Sequence, residues 1–266
     1  MAALVETLGS LVLAGALAAY VRGWSRLRRR GHAPPAWRLA AYALGVVTIA
    51  AALVGLDELA DERFSVHMIQ HLLLMMVAAP LLALGDPLPL VLWGLPRRAR
   101  APLAALLRPR ARTRRALRAL TWLPTAGILY VVIVWAWHVP ALYDAAAEHE
   151  ALHAVEHASF LAAALLFWWP ILQPAPRLRP RPHPGLQIAY LVAATGQNTA
   201  LGMILSLPDR AFYPHYVRLA ARIGLDAVDD QAFGGGLMWS MGHMYLLPIF
   251  AILYAMARES DADADP

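Results

Sequence analysis

Phe64-Ser-Val-His67-Met68-Ile-Gln70-His71-Leu-Leu-Leu-Met75-Met76-Val-Ala-Ala-Pro80-Leu-Leu-Ala-Leu84 is the stretch that decides the fold. It has no acidic residue, no arginine and no lysine, and it is long enough to cross a hydrocarbon core about 30 Å thick. It also opens on two histidines. Their i,i+4 spacing stacks both rings on one helix face, with Cβ atoms about 5–6 Å apart. Polar groups in such a segment are costly and turn towards the interior of a bundle.

Outward from this stretch, comparable apolar runs predict seven membrane crossings: Leu4–Trp24, Trp37–Leu56, Phe64–Leu84, Leu120–Val139, Ala151–Leu172, Gly185–Leu207 and Gln231–Ala257. The whole chain agrees with this. Of its 266 residues, 59% are hydrophobic and 15% charged, with a mean hydropathy of +0.49. Soluble domains carry about 25% charge. The expected fold is therefore all-α: a polytopic transmembrane seven-helix bundle forming one domain over residues 1–258. A short acidic disordered tail follows, over 259–266. Pro87–Leu95 is too short to span and reads as an interfacial or re-entrant piece.

All 23 basic residues are arginine. All but Arg63, Arg210, Arg218 and Arg222 fall in the connections on one side of the seven runs, at the run ends beside them (Arg22, Arg38) or after the last run. The positive-inside rule makes that side cytoplasmic, with the N-terminus outside and the C-terminus inside a cell membrane. The run Leu4–Tyr20 lacks a preceding basic region, so it reads as a retained span rather than a cleaved signal. The net charge of +5 is explained by orientation, so the expected partner is the lipid bilayer and no nucleic acid. The chain has no cysteine, which excludes disulfides, thiolate ligands and catalytic thiols.

The opposite connections are acidic, and the histidines gather on that side. His67 and His71 open the third span, His153 and His157 open the fifth, and His138 ends the fourth. His243 lies deeper, about 20 Å along the seventh at 1.5 Å rise per residue. Imidazoles ligate copper, zinc and iron. The thioethers of Met68, Met75, Met76, Met238, Met241 and Met244 add soft donors without thiolate, a set that suits monovalent copper. Glu156 and Asp230 would orient ligands or bind a harder ion. The candidate metal residues are His67, His71, His138, His153, His157, His243, Asp230 and Met68. His32, His149, His183 and His215 read as solvated loop residues. The competing account of the paired histidines is a structural hydrogen-bond cluster, and of the methionines, packing. Gly234-Gly-Gly236 marks a tight helix crossing, and Gln197, Asn198 and Thr199 bond across helices. No phosphate loop, nucleophile elbow or dinucleotide fingerprint is present.

The motifs His67-Met-Ile-Gln-His71, Trp137-His138-Val-Pro140-Ala-Leu-Tyr143, His153-Ala-Val-Glu156-His157, Tyr213-Pro-His-Tyr216 and Asp230-Gln231 before Met238-Trp239 occur together and in order. In this the chain resembles the seven-helix CtaG family of cytochrome c oxidase assembly factors tied to caa-type oxidases. The resemblance implies an inner-membrane protein that handles copper for a haem–copper oxidase. It carries over His67, His71, His138, His153, His157 and Asp230 as site residues, whereas His243 comes from the residue reading alone. The expected function is that of an assembly factor rather than an enzyme. It would bind copper at an outer histidine cluster and assist metallation of an oxidase subunit, with that subunit or a copper donor protein as partner. Three alternatives use the same residues: haem held by paired imidazoles, a zinc-dependent membrane enzyme with Glu156 as base, and a copper transporter running inward past His243.

Overall fold

The computed structural model describes residues 2–32 and 34–264, with side chains over 9–32 and 34–258. All regular structure among the described residues is helical. In chain order the helices are α1 (Ala2–Arg29), α2 (Ala36–Gly55), α3 (Asp57–Glu62), α4 (Phe64–Leu84), α5 (Pro87–Gly94), α6 (Arg97–Leu106), α7 (Arg112–Leu120), α8 (Leu123–Trp137), α9 (Pro140–Glu148), α10 (Glu150–Leu172), α11 (Pro184–Ser206), α12 (Pro214–Ile223) and α13 (Ala227–Arg258). The expected tail from Glu259 lies beyond the residues with described side chains, and residues 265–266 lie outside the described residues.

Among the described residues, five helices are long and apolar enough to cross a membrane: α2, α4, α10, α11 and α13. They are apolar around most of their circumference, as lipid-embedded helices are. The chain is a multi-pass membrane protein. The expected fourth span is not one straight helix. Leu120–Val139 falls mainly on α8, which has 15 residues; only together with α7, bent from it by 72° at Thr121-Trp122, is it long enough to cross, and counting that pair as one span gives six. Trp122 is extended and Pro124 starts α8 near its first position, where a missing N–H costs nothing. The expected first span lies within α1, whose residues up to 8 are described by backbone only.

α4 is the most enclosed of the five and packs against α2, α10 and α13. Its middle, Leu73–Ala78, is a widened π turn. Pro80 supplies the reason: it has no N–H for the carbonyl four residues back, and its ring crowds that position. The indole of Trp168 on α10 donates to the Met75 carbonyl in this turn, at 3.1 Å. α2 has a similar turn at Ala51–Gly55, where the Ala52 carbonyl accepts from Gln70 of α4 at 2.8 Å. Neighbouring helices thus serve both irregular turns.

Pro87–Gly94 forms a short helix packed on α1, at a contact so close that a Cβ on Gly94 would lie 1.7 Å from the Ala19 carbonyl oxygen. Gly235 of α13 sits closely on α11, where a Cβ would meet the Gly202 oxygen at 2.8 Å. α13 is interrupted by a 3₁₀ turn at His243–Tyr245. Pro248 cannot bond to the Met244 carbonyl, and the ladder breaks just upstream.

Candidate metal centre

The helix starts of α4 and α10 lie side by side, and each carries a His-x-x-x-His pair. Ligand atoms of His67, His71 and His157 all fall within 4.8 Å of one another, as do those of His67, His153 and Glu156. Every member is buried except His153, which is partly exposed. The four rings form one cluster: centroids are 4.4 Å apart for His67 and His71, 4.8 Å for His67 and His153, 5.1 Å for His71 and His157, and 4.3 Å for His153 and His157. Glu156 is fully buried among them. Its Oε1 lies 3.6 Å from His71 Nε2 and its Oε2 lies 3.8 Å from His67 Nε2.

The proton count on His67 is fixed by its neighbours. Burial, then the adjacent Glu156, holds the Tyr216 hydroxyl well above the ordinary phenol range, so it keeps its proton. That proton goes to the Ala60 carbonyl at 2.8 Å. Tyr216 can then only accept from His67 Nδ1, 2.8 Å away, so Nδ1 carries the hydrogen. His67 Nε2 is left with a lone pair, 3.2 Å from His153 Nε2. A carbonyl or phenol behind the ring, fixing tautomer and orientation, is the usual support of a metal-bound histidine. Tyr143 contributes from α9, with its hydroxyl 3.0 Å from the same Nδ1.

The polar atoms facing inward have no partners. His71 Nδ1 and Nε2, His157 Nε2 and both carboxylate oxygens of Glu156 are buried without a hydrogen bond. Unpaired buried polar groups each cost of the order of 1–3 kcal/mol, and a cluster of them calls for an explanation. A cation among them satisfies the Glu156 carboxylate and one nitrogen each of His71 and His157 at once. Donors around a tetrahedral ion with metal–nitrogen bonds of about 2.0–2.1 Å lie about 3.3–3.4 Å apart. The 3.2–3.8 Å separations here are close to that spacing. The residues fit a nitrogen- and oxygen-ligated transition metal.

Above the cluster, Phe64, Tyr143 and Tyr213 stack with centroids 4.3–5.5 Å apart, and Phe160 lies 4.5 Å from His71. This aromatic casing excludes water. His153 is the accessible member, in the wall of a groove that Asp57, Asp61 and Glu150 also line.

The other candidates are elsewhere. His138 lies beside the cluster but outside it, with its centroid 6.3 Å from that of His71. Met68 is fully buried next to His71 in a small cavity. Asp230 faces the backbone: its Oδ1 accepts from Ser65 N at 3.3 Å and ties α13 to the start of α4. His243 is exposed, and its Nδ1 contacts only the carbonyls of Trp239 and Ser240 on its own helix. Glu156, read from the sequence as either an orienting group or a ligand for a harder ion, lies within the group itself. Tyr143 and Tyr216 appeared in the sequence only as motif letters. Their roles depend on α9 and α12 folding over the bundle, which no local spacing reveals.

The sequence profile of the cytochrome c oxidase caa3 assembly factors matches residues 18–259. An uncharacterized protein of Mycobacterium bovis is 31% identical over 253 residues, which is 90% of this chain and 36% of that protein. One from Mycobacterium leprae is 28% identical over 256 residues, covering 91% of this chain and 37% of its own length. The chain thus spans little more than a third of the curated relatives it matches. No solved structure matches it. The profile covers both histidine-bearing helix starts and both tyrosines behind them, and the chain belongs to the cytochrome c oxidase caa3 assembly factor family.

Proposed function

We propose that this chain takes up copper at the His67/His71/His153/His157/Glu156 group and passes it to a subunit of a haem–copper oxidase during assembly. The observation that carries this reading is the set of unpartnered nitrogen and oxygen atoms converging in one water-excluded place. Copper is favoured over other divalent first-row metals by its higher affinity for such donors, and the family supplies the context of an oxidase that needs metal. Copper here is cargo rather than a catalytic cofactor. The groove flanked by Asp57, Asp61 and Glu150 brings a cation to His153 first, since carboxylates along a low-dielectric cleft focus positive charge.

In this reading the chain crosses the cell's inner membrane seven times, with α1 and the bent α7–α8 pair as crossings, the N-terminus outside and the C-terminus in the cytoplasm. The arginine asymmetry supports it. The metal group then lies near the outer surface, where a copper donor protein and the oxidase subunit can both reach it. The test is cellular. In cells whose only family member is this chain carrying Glu156→Gln, the protein should insert normally while copper-loaded oxidase is lost. Full oxidase activity in such cells would refute the proposal.

A further inference from the structure

Directly below the cluster is a second, chemically different place. A cavity of about 20 Å³ is walled by Met68, Met75, Met76 and Met238 together with His71 and His138. That is room for about one water-sized probe or a single ion, and for nothing organic. Methionines at such positions are ordinarily packing, so the weight falls on His138. Its Nδ1 lies 2.6 Å from the Val134 carbonyl, which can only accept, so Nδ1 carries the hydrogen. Nε2 is therefore a bare lone pair. It is buried and has no partner in the protein, although the residue as a whole is only 8% exposed.

We propose that this cavity is a second metal site, taking a soft monovalent cation through His138 Nε2 and the thioethers of Met68, Met75, Met76 and Met238. The wall includes no carboxylate. Neutral sulfur and imidazole donors suit a soft cation of single charge, whereas a divalent ion without a countercharge would bear a much larger desolvation cost. This separates the cavity from the group above it, where Glu156 supplies negative charge. His71 links the two, since it lines the cavity and belongs to the upper group. The spacing on α4 repeats this link: Met68, His71 and Met75 are three and four residues apart and share one face. The inference goes beyond the copper reading of the upper group and can fail separately from it.

Silver(I) tests it, as a soft monovalent probe that is not oxidised in air. The purified full chain in detergent is loaded with silver(I) or with zinc(II), freed of excess metal and analysed for each. The variant M75L/M76L/M238L keeps volume nearly constant. It should lose about one equivalent of silver per chain while retaining zinc, because thioethers select soft ions. The retained zinc also reports that the variant is folded. His67→Ala with His153→Ala should do the reverse, lowering zinc and sparing the cavity silver. X-ray absorption at the silver edge should show sulfur neighbours in the wild type. Silver content unchanged by the leucine substitutions, or a silver shell without sulfur, would overturn the proposal. Failure of the upper group would show instead as zinc unaffected by the histidine substitutions.

Discussion

His67 and His153, on different helices, face each other through their Nε2 atoms at 3.2 Å. The hydrogen bond behind His67 keeps a lone pair on its side of that gap. Either a proton on His153 or a shared cation must lie between them. The arrangement is held from outside the transmembrane helices, by Tyr216 on α12.

Removing that support should weaken metal binding without emptying the site. Tyr216→Phe deletes the nearer acceptor for His67 Nδ1 and leaves only the Tyr143 hydroxyl, at 3.0 Å, to hold the ring. Losing such a partner typically costs about 10–100-fold in metal affinity. Competition against a chelator of known affinity should show that drop. Unchanged affinity would mean that the tyrosine only packs.

Binding should also stabilise the fold. At a free metal concentration of about 100 times Kd, the folded state gains about 2.7 kcal/mol. The copper-induced rise in Tm should be clear in the wild type and much smaller in Glu156→Gln, which keeps the shape of the side chain but removes its charge. Equal shifts would place the ion away from Glu156.

Protons compete for the same atoms. An imidazole must be neutral to ligate, so metal binding releases protons and weakens as the pH falls. Affinity should therefore fall as the medium is acidified and recover when it is returned to neutral pH. A flat profile would point to ligands other than histidine.

Much of this site was legible in the sequence because it rests on helical periodicity. The pairs at 67/71 and 153/157 announce a shared face by spacing alone, and the apolar lengths of α2, α4, α10 and α11 set their crossings to within a residue or two. The breaks were less legible. Pro80 widens α4 into a π turn, Trp122 bends α7 against α8, and Pro248 interrupts α13. Asp230, expected as an orienting group or hard ligand and as a site residue of the family pattern, accepts from the Ser65 N–H. Such tertiary pairings leave no period to read.

The close contact of α1 with α5 gives a test of the packing. Gly94→Ala would drive a methyl into the Ala19 carbonyl. Overpacking of this kind costs about 1–3 kcal/mol. Gly236→Ala, which meets nothing within 4 Å, serves as the control and should melt like the wild type. Equal stability of both variants would contradict the packing of the short helix.

Orientation can be read by labelling, because the chain contains no cysteine of its own. A membrane-impermeant maleimide applied to intact cells should modify Asp209→Cys and leave Arg110→Cys untouched until the cells are opened. Both positions are exposed. The reverse pattern would turn the topology over and put the histidine cluster on the cytoplasmic side.

The central claim is that the imidazoles of α4 and α10 hold one ion in common. Copper content of the purified protein, measured with His67, His71, His153 and His157 intact and with all four changed to alanine, tests it most directly. The wild type should retain about one equivalent at the clustered N/O site, and the quadruple variant should lose it while remaining folded by circular dichroism. The same copper content in both would contradict the account.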